Sequence, residues 1–269
     1  MSSGYSASPR VTSPHFDFRR NRLIFAERIR RPGWQQTGPR GRGRVRKRET
    51  NLEMDTKIII FDFDGTLCDT RQTIIRTLIM TMEELGLPVA TEEACAATIG
   101  LRLESGFKVL FPQLDEEHIA LCASTYRRIF DINKKKLVPT IFPNVPETLQ
   151  ELHDKGYVMT VASSRSHGSL DDFVATFGFD KYFSLVVGAN DTAKGKPAPD
   201  QVLYTLRKTG FTADEALVVG DMPFDILMGK GAGARACGVT YGNSCREELL
   251  SSGADYVIDD FSQLPGLLK

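Results

Sequence analysis

The sequence predicts an α/β fold: a doubly wound parallel sheet with helices on both faces and an all-helical domain inserted after the first strand. Three observations carry this reading. Short apolar runs recur at 57–62, 157–162, 183–187, 215–219, 235–240 and 255–258. Helical patterns fill most of the intervals between them, at 143–155, 166–177, 199–209, 223–232 and 260–268. Strands and helices alternating in this way pack as a parallel sheet covered on both faces. The third observation is an interval that breaks the rhythm. Between the first two strands, residues 71–140 carry helical patterns only. A parallel crossover needs only about a dozen residues. Residues 71–140 therefore read as an inserted helical domain, which leaves 54–70 and 141–269 to build the core.

The first strand opens "KIIIFDFDGTLCDT", Lys57 to Thr70. Its apolar run reads as a buried, parallel strand. Side chains alternate along a strand, so Asp62 and Asp64 leave it on the same side. Two like charges held close repel, and unpaired buried carboxylates are costly. Within the insert, "TIIRTLIMTMEEL" has apolar residues at helical spacing and ends at Gly86. "DEEHIALCASTYRRIF" starts acidic and ends basic, the polarity that a helix dipole favours. Prolines in "VPTIFPNVP" break the pattern, placing one hinge near 139–145 and its counterpart near 68–72.

The later strands each deliver polar residues at their ends. "YVMTVA" is followed by Ser163 and Ser164. "KGKPAPD" brings Lys194 and Lys196 ahead of the 199–209 helix, and "ALVVG" leads into Asp221 and Asp225. In an open parallel sheet, ligands bind beyond the carboxyl ends of the strands. These groups, distant in sequence, meet at that edge. Four carboxylates against one lysine leave the site short of positive charge. A hard cation such as Mg²⁺ takes oxygen ligands, readily combines carboxylates with substrate phosphate, and offsets the repulsion between the aspartates. The set suits phosphoryl transfer with a metal.

Composition narrows the class. The chain has 269 residues, 41% hydrophobic and 25% charged, ample for a sizeable core. Net charge is zero, but residues 1–53 carry thirteen Lys/Arg against four Asp/Glu, while 54–269 carry twenty-one against thirty. The acidic main body argues against nucleic acid as a partner. No segment approaches the ~18 consecutive apolar residues of a membrane span. Five scattered cysteines, none in a CxxC pair, read as reduced thiols of a cytoplasmic protein, without a disulfide framework or zinc site. The partner expected is a small phosphorylated metabolite, and the protein is expected to be a monomer or weak homodimer.

"DFDGT", "VASS", "GKPAPD" and "VGDMPFD", in this order, resemble the four motifs of the haloacid dehalogenase-like superfamily of phosphatases. The resemblance spans about 57–265, and the insert resembles the helical cap of the phosphoglycolate phosphatase and β-phosphoglucomutase type. It implies a Rossmann-like core and a role for each matching residue. Asp62 matches the nucleophile that forms an aspartyl-phosphate. Asp64 matches the general acid for the leaving group, then the base that activates water. Mg²⁺ is implied on the Asp62 carboxylate, the Asp64 backbone carbonyl and Asp221. Ser163 matches the hydroxyl that hydrogen-bonds the transferring phosphoryl group, and Lys196 the lysine that offsets its charge. Asp225 matches a support for the metal or the lysine.

Plainer readings stand beside these. Asp69 or Thr70 reads as a helix cap, Ser164 as either a second substrate hydroxyl or a cap, and Asp225 as a first-turn residue favoured by the dipole. Cys68 reads as a small packed residue, and the histidines form no cluster. Arg102, in "IGLRLESGF", reaches the far end of the substrate or lies on the surface. Family dehalogenases lack the second aspartate, so Asp64 argues against dehalogenation. Phosphonatases use a cap lysine, for which Lys108 is the candidate, unsupported by any sign of desolvation. The mutase signature is missing from the Arg102 stretch, so hydrolysis of a small phosphomonoester (phosphoglycolate-like, a sugar phosphate or a nucleotide) leads. A β-phosphoglucomutase-like mutase comes second and a catalytically silent binding module third.

Residues 1–53, with "RGRGRVRKR", read as disordered. They hold twelve arginines and one lysine, whereas the remainder holds nine and twelve. "MDTKIIIFDFDGTL" places Met54 where this family's first strand begins. An upstream extension, with the native start at Met54, is the preferred reading over a transit peptide or a basic arm. A chain of residues 54–269 is expected to fold and to keep its activity. Loss of either would show that the basic segment is structural, and native tryptic peptides from residues 1–45 would rule out a start at Met54.

Overall fold

The computed structural model describes residues 56–134 and 136–268. The expectations for the basic segment 1–53 lie outside the described residues. Six strands form one sheet: β1 (Ile58–Phe61), β4 (Val158–Ala162), β5 (Phe183–Val187), β6 (Ala216–Gly220), β7 (Arg235–Val239) and β8 (Tyr256–Ile258). Their order is β5-β4-β1-β6-β7-β8, and every neighbouring pair is parallel. β1 sits in the middle, where the chain's progress across the sheet reverses direction, the switch point at which such sheets open a crevice.

The four residues of β1 are all buried, which explains a strand sequence without polar alternation. Ile59 and Phe61 pack into one cluster with α5 (Val145–Asp154), α6 (His167–Thr176) and the C-terminal turn. Ile58 and Ile60 pack on the other face with α7 (Asp200–Thr209) and α8 (Pro223–Gly231). α9 (Arg246–Ser251) rests its Leu249 beside β7. The segment expected as a helix at 260–268 is a 3-10 helix, Phe261–Leu267, with Pro265 inside it. A proline supplies no amide hydrogen and crowds the preceding turn, so an α-helix does not propagate there.

Residues 71–133 form four helices: α1 (Arg71–Glu84), α2 (Glu92–Ala96), α3 (Leu103–Leu110) and α4 (Glu116–Asn133). They enclose their own apolar cluster, including Ile75, Met82, Phe107 and Cys122. Thr91 caps α2 by accepting from Ala94 N–H, and Asp115 caps α4 by accepting from His118 N–H. Two short strands, β2 (Cys68–Asp69) and β3 (Thr140–Ile141), pair antiparallel where the chain leaves the core and returns to it. That pairing clamps the two crossings side by side. Among the described residues, no helix is long and apolar enough to cross a membrane.

Candidate active site

Three neighbouring strands end at the same level. Phe61 is in register with Val161 of β4 and Val219 of β6. The next residues, Asp62 and Phe63 on β1, Ala162 and Ser163 on β4, and Gly220 and Asp221 on β6, therefore share one edge. Asp62 still belongs to the ladder, donating its N–H to Val219 O at 2.8 Å. The chain then turns sharply at Gly65, whose φ is +84°. A Cβ on Gly65 would lie 2.2 Å from Asp221 Oδ2, so glycine both permits the turn and makes room for that carboxylate.

Lys196 lies at the centre of the site. Its side chain is fully buried, with Nζ 2.5 Å from Asp62 Oδ1 and 2.7 Å from Asp225 Oδ1. Asp225 also accepts the Met222 N–H at 3.0 Å through Oδ2, which leaves Oδ1 in ion-pair contact with the lysine and without a hydrogen bond of its own. Asp221 accepts the N–H and Nδ2 of Asn243, both at 2.8 Å, and the Thr66 hydroxyl at 3.4 Å. Asp62 Oδ2 is buried without a hydrogen-bond partner. Asp62, Asp221 and Asp225 each present an oxygen within 4.8 Å of the others, which makes this the acidic group among the described residues able to hold a metal ion.

The electrostatics follow from burial. Desolvation pushes the Asp62 carboxyl well above the ordinary carboxylate range; Lys196 pulls it back, while Asp225, Asp221 and Asp64 raise it further. Asp221 is pushed up to about 7, by burial first and then by the Asp225 charge, against the donors of Asn243. Burial favours the neutral amine of Lys196, but Asp225 and Asp62 outweigh it and hold the ammonium above its usual range. The orphaned Asp62 oxygen beside Asp221, both straining toward protonation, is a donor set that fits a hard divalent cation.

Asp64 belongs to a second pairing. Arg165 donates through Nε to Asp64 Oδ1 at 2.8 Å, with Nη2 also 2.8 Å away, and both side chains are nine-tenths buried. Arg165 was not singled out from the sequence, although a signal existed. It stands just ahead of α6, where the helix dipole disfavours a cation. With Arg165 counted, four carboxylates face one ammonium and one guanidinium, a deficit that one divalent ion cancels. Asn243 lies in a loop 22 residues after Asp221, and no local pattern marks it. Gln201, also unmarked, donates to the Ser163 and Gly188 carbonyls and ties the strand ends together.

Ser163 is fully buried at the edge, its hydroxyl accepting the Arg165 N–H at 3.2 Å. Ser164 neither caps α6 nor points a free hydroxyl at the site: it donates to Gly100 O of the insert at 2.7 Å. Arg102 lines the cavity between the insert and the core and is anchored on the core. Its guanidinium donates to the carbonyls of Ala189, Thr192 and Ala193, and its stem lies across Gly195, where a Cβ would sit 2.6 Å from Nε. Both residues thus join the insert to the core, and Arg102 packs against the loop that carries Lys196. Lys194 stays at the surface, its N–H bonded to Asp200. Lys108 donates to Leu114 O within the insert, and Cys68 is buried, its thiol raised by desolvation. Asp69, rather than Thr70, bonds the first turn of α1, through Arg71 N–H at 3.2 Å.

Between the insert and the core lies a cavity of about 760 Å³, lined by Asp64, Arg165, Ser164, Arg102, Tyr126 and Phe130 among others. It opens on the Asp64 side of the sheet edge.

Comparison with known proteins agrees with this geometry. The family described as haloacid dehalogenase-like hydrolase matches residues 59–239. A protein named probable phosphatase IndB, from Dickeya dadantii, is 34% identical over 214 residues, covering 78% of this chain and 92% of its own length. A phosphoglycolate phosphatase from Haemophilus influenzae is 32% identical over 224 residues, covering 79% and 98%. Among solved structures, a putative haloacid dehalogenase-like hydrolase from Bacteroides fragilis superimposes with a TM-score of 0.74 at 26% identity, covering 78% of this chain and 99% of that one. The chain belongs to the haloacid dehalogenase-like hydrolase family.

Proposed function

We propose that the protein is a Mg²⁺-dependent phosphoric monoester hydrolase that works through an aspartyl-phosphate on Asp62. The observation that carries this reading is the buried Asp62 carboxylate, paired on one oxygen with Lys196 and unpartnered on the other. An oxygen held in place and stripped of hydrogen bonds is a nucleophile waiting for an electrophile. Relatives named phosphatase and phosphoglycolate phosphatase support the class, and the substrate in this reading is a small phosphorylated metabolite.

In this mechanism an Asp62 oxygen attacks phosphorus while the bond to the alcohol oxygen breaks. Asp64, as general acid, gives a proton to that departing oxygen, so the alcohol leaves neutral. The Asp64 carboxylate then takes a proton from water as the water oxygen attacks phosphorus. The bond to Asp62 breaks and inorganic phosphate is released. Lys196 stays within reach of the Asp62 oxygen throughout and offsets charge on the transferring group, and Ser163 offers a hydroxyl at the same edge. Mg²⁺ would be held by Asp62, Asp221 and the Asp64 carbonyl, and would supply charge neutralisation for the phosphoryl oxygens. Asp225, in contact with Lys196 and the Met222 amide, would support the lysine or the metal.

Phosphate release measured with and without Mg²⁺ tests the reading. Asp62→Asn should leave less than about 1% of the wild-type rate, because an amide cannot form the intermediate. Asp64→Asn should cost roughly 10²–10⁴ on an alkyl phosphate, the usual range for acid–base groups. Retained turnover in Asp62→Asn, or full activity in excess chelator, would end the proposal.

Metal binding can be read without turnover. Mg²⁺ at 100-fold excess over its Kd should raise the melting temperature by roughly 5–10 °C. Asp221→Asn should lose that rise, yet melt no lower than the metal-free wild type, since a neutral amide relieves a carboxylate already pushed toward protonation. An undiminished shift in the variant would remove Asp221 from the metal site.

A further inference from the structure

The two aspartates of the first strand are separated by Phe63, and that residue begins a run of aromatic contacts. Phe63 packs on Phe173 of α6, with ring centroids 5.7 Å apart. Phe173 meets Phe130 of α4 at 6.0 Å, edge to face. Phe130 stacks on Tyr126 at 6.3 Å with the planes 7° apart, and Tyr126 meets Phe107 inside the insert at 6.4 Å. One charged group lies beside this apolar run. The Arg165 guanidinium carbon lies 4.7 Å from the centre of the Phe173 ring and 5.2 Å from that of Phe130. One ring belongs to the core and the other to the insert.

A buried arginine needs partners for its donors: Arg165 donates through Nε to Asp64 Oδ1, and Nη2 lies in ion-pair contact with the same atom, 2.8 Å away, without a hydrogen bond of its own. The second Asp64 oxygen is not engaged by it. A planar guanidinium set in the corner of two rings that meet edge to face has little freedom to rotate, and the cation is favoured by contact with both rings. The direction of its donors is then fixed, and with it the direction of the Asp64 carboxylate. Phe130 sits among the buried aromatics of the core although its helix belongs to the insert. This aromatic corner is therefore complete only while the insert rests on the core. The neighbouring contacts Ser164 to Gly100 and Arg102 to the 189–193 carbonyls hold that same arrangement.

We infer that Arg165 is the positioning residue for proton transfer: packed against both Phe173 of the core and Phe130 of the insert, it aims the Asp64 carboxyl at the oxygen of the departing alcohol. The docked insert thereby sets the acid as well as enclosing the site. This rests on the reading of Asp64 as proton donor. Arg165 itself passes no proton, and the bonds made and broken are those already given for Asp64 and Asp62.

The dependence of rate on the leaving group isolates this role. p-Nitrophenolate departs without needing a proton, whereas an alkoxide needs one. With the full chain and saturating Mg²⁺, kcat/KM is compared for p-nitrophenyl phosphate and for a simple alkyl phosphate. Arg165→Met should lower kcat/KM for the alkyl phosphate at least tenfold more than for p-nitrophenyl phosphate. Phe130→Leu should move the ratio in the same direction by about threefold. Arg165→Lys, which keeps the charge but not the flat fork, should show an intermediate ratio and guards against misfolding of the methionine variant. A purely structural role would lower both substrates alike. Equal losses on both, or no loss, in Arg165→Met and Arg165→Lys would overturn the inference where Asp64→Asn is itself selective for the alkyl phosphate. If Asp64→Asn shows no such selectivity, the assignment of the acid fails, and the positioning role falls with it.

Discussion

The buried bridge from Lys196 to Asp62 and Asp225 is the interaction on which the rest of the site depends. Nζ lies 2.5 and 2.7 Å from the two carboxylates, with its side chain wholly out of solvent. Desolvating charges is expensive, and only close, well-directed partners offset it. The fold is arranged around that requirement. β1 delivers Asp62 and β6 leads into Asp225, one strand apart. The lysine comes from the loop after β5, two strands away across the sheet. Arg102 bonds the carbonyls of that loop and covers Gly195, the residue before the lysine, so the ammonium arrives on a restrained backbone. Gly220, where a Cβ would come within 2.3 Å of Asp225 Cβ, leaves the room that this packing needs.

The same bridge divides labour among the aspartates. Asp225 faces the lysine through one oxygen and accepts the Met222 amide through the other. Asp62 keeps one oxygen for the lysine and one without a partner. Asp221 is held from the far side by Asn243, which in turn accepts from Arg71 at the start of α1. Asp64 is drawn to Arg165, away from the other three. Two charge systems thus share one strand end: one around Lys196, suited to a cation and a phosphoryl group, and one around Arg165, beside the cavity under the insert. Phe63, between the two aspartates in sequence, is buried and belongs to the aromatic run that backs the second system.

Much of this was legible from the sequence because each strand is a compact apolar run and each polar group follows a strand end directly. Asp62, Lys196, Asp221 and Asp225 are grouped once the strand order is known, and a parallel sheet leaves few orders to consider. What stayed hidden depends on contacts between segments distant in the chain. Arg165 looked like an ordinary residue before a helix, because its partners Phe130 and Phe173 come from two different layers. The anchoring of Arg102 was hidden too, since its sequence does not show the three carbonyls that converge on it. Asn243 sits in a turn of small residues with no period to read. The final helix was mistaken in kind because apolar spacing outweighed Pro265, whose missing donor decides the geometry.

The central claim is that Lys196 and the carboxylates form one electrostatic unit. A double-mutant cycle on urea unfolding of the metal-free protein tests it most directly, using Lys196→Met, Asp225→Asn and the pair. Lys196→Met alone should cost about 3–5 kcal/mol, because it leaves two buried carboxylates without their cation. The double variant should be more stable than the sum of the single losses predicts, with a coupling of roughly 1–3 kcal/mol. Losses that add within about 0.5 kcal/mol, or a neutral Lys196→Met, would show that the bridge does not organise the site.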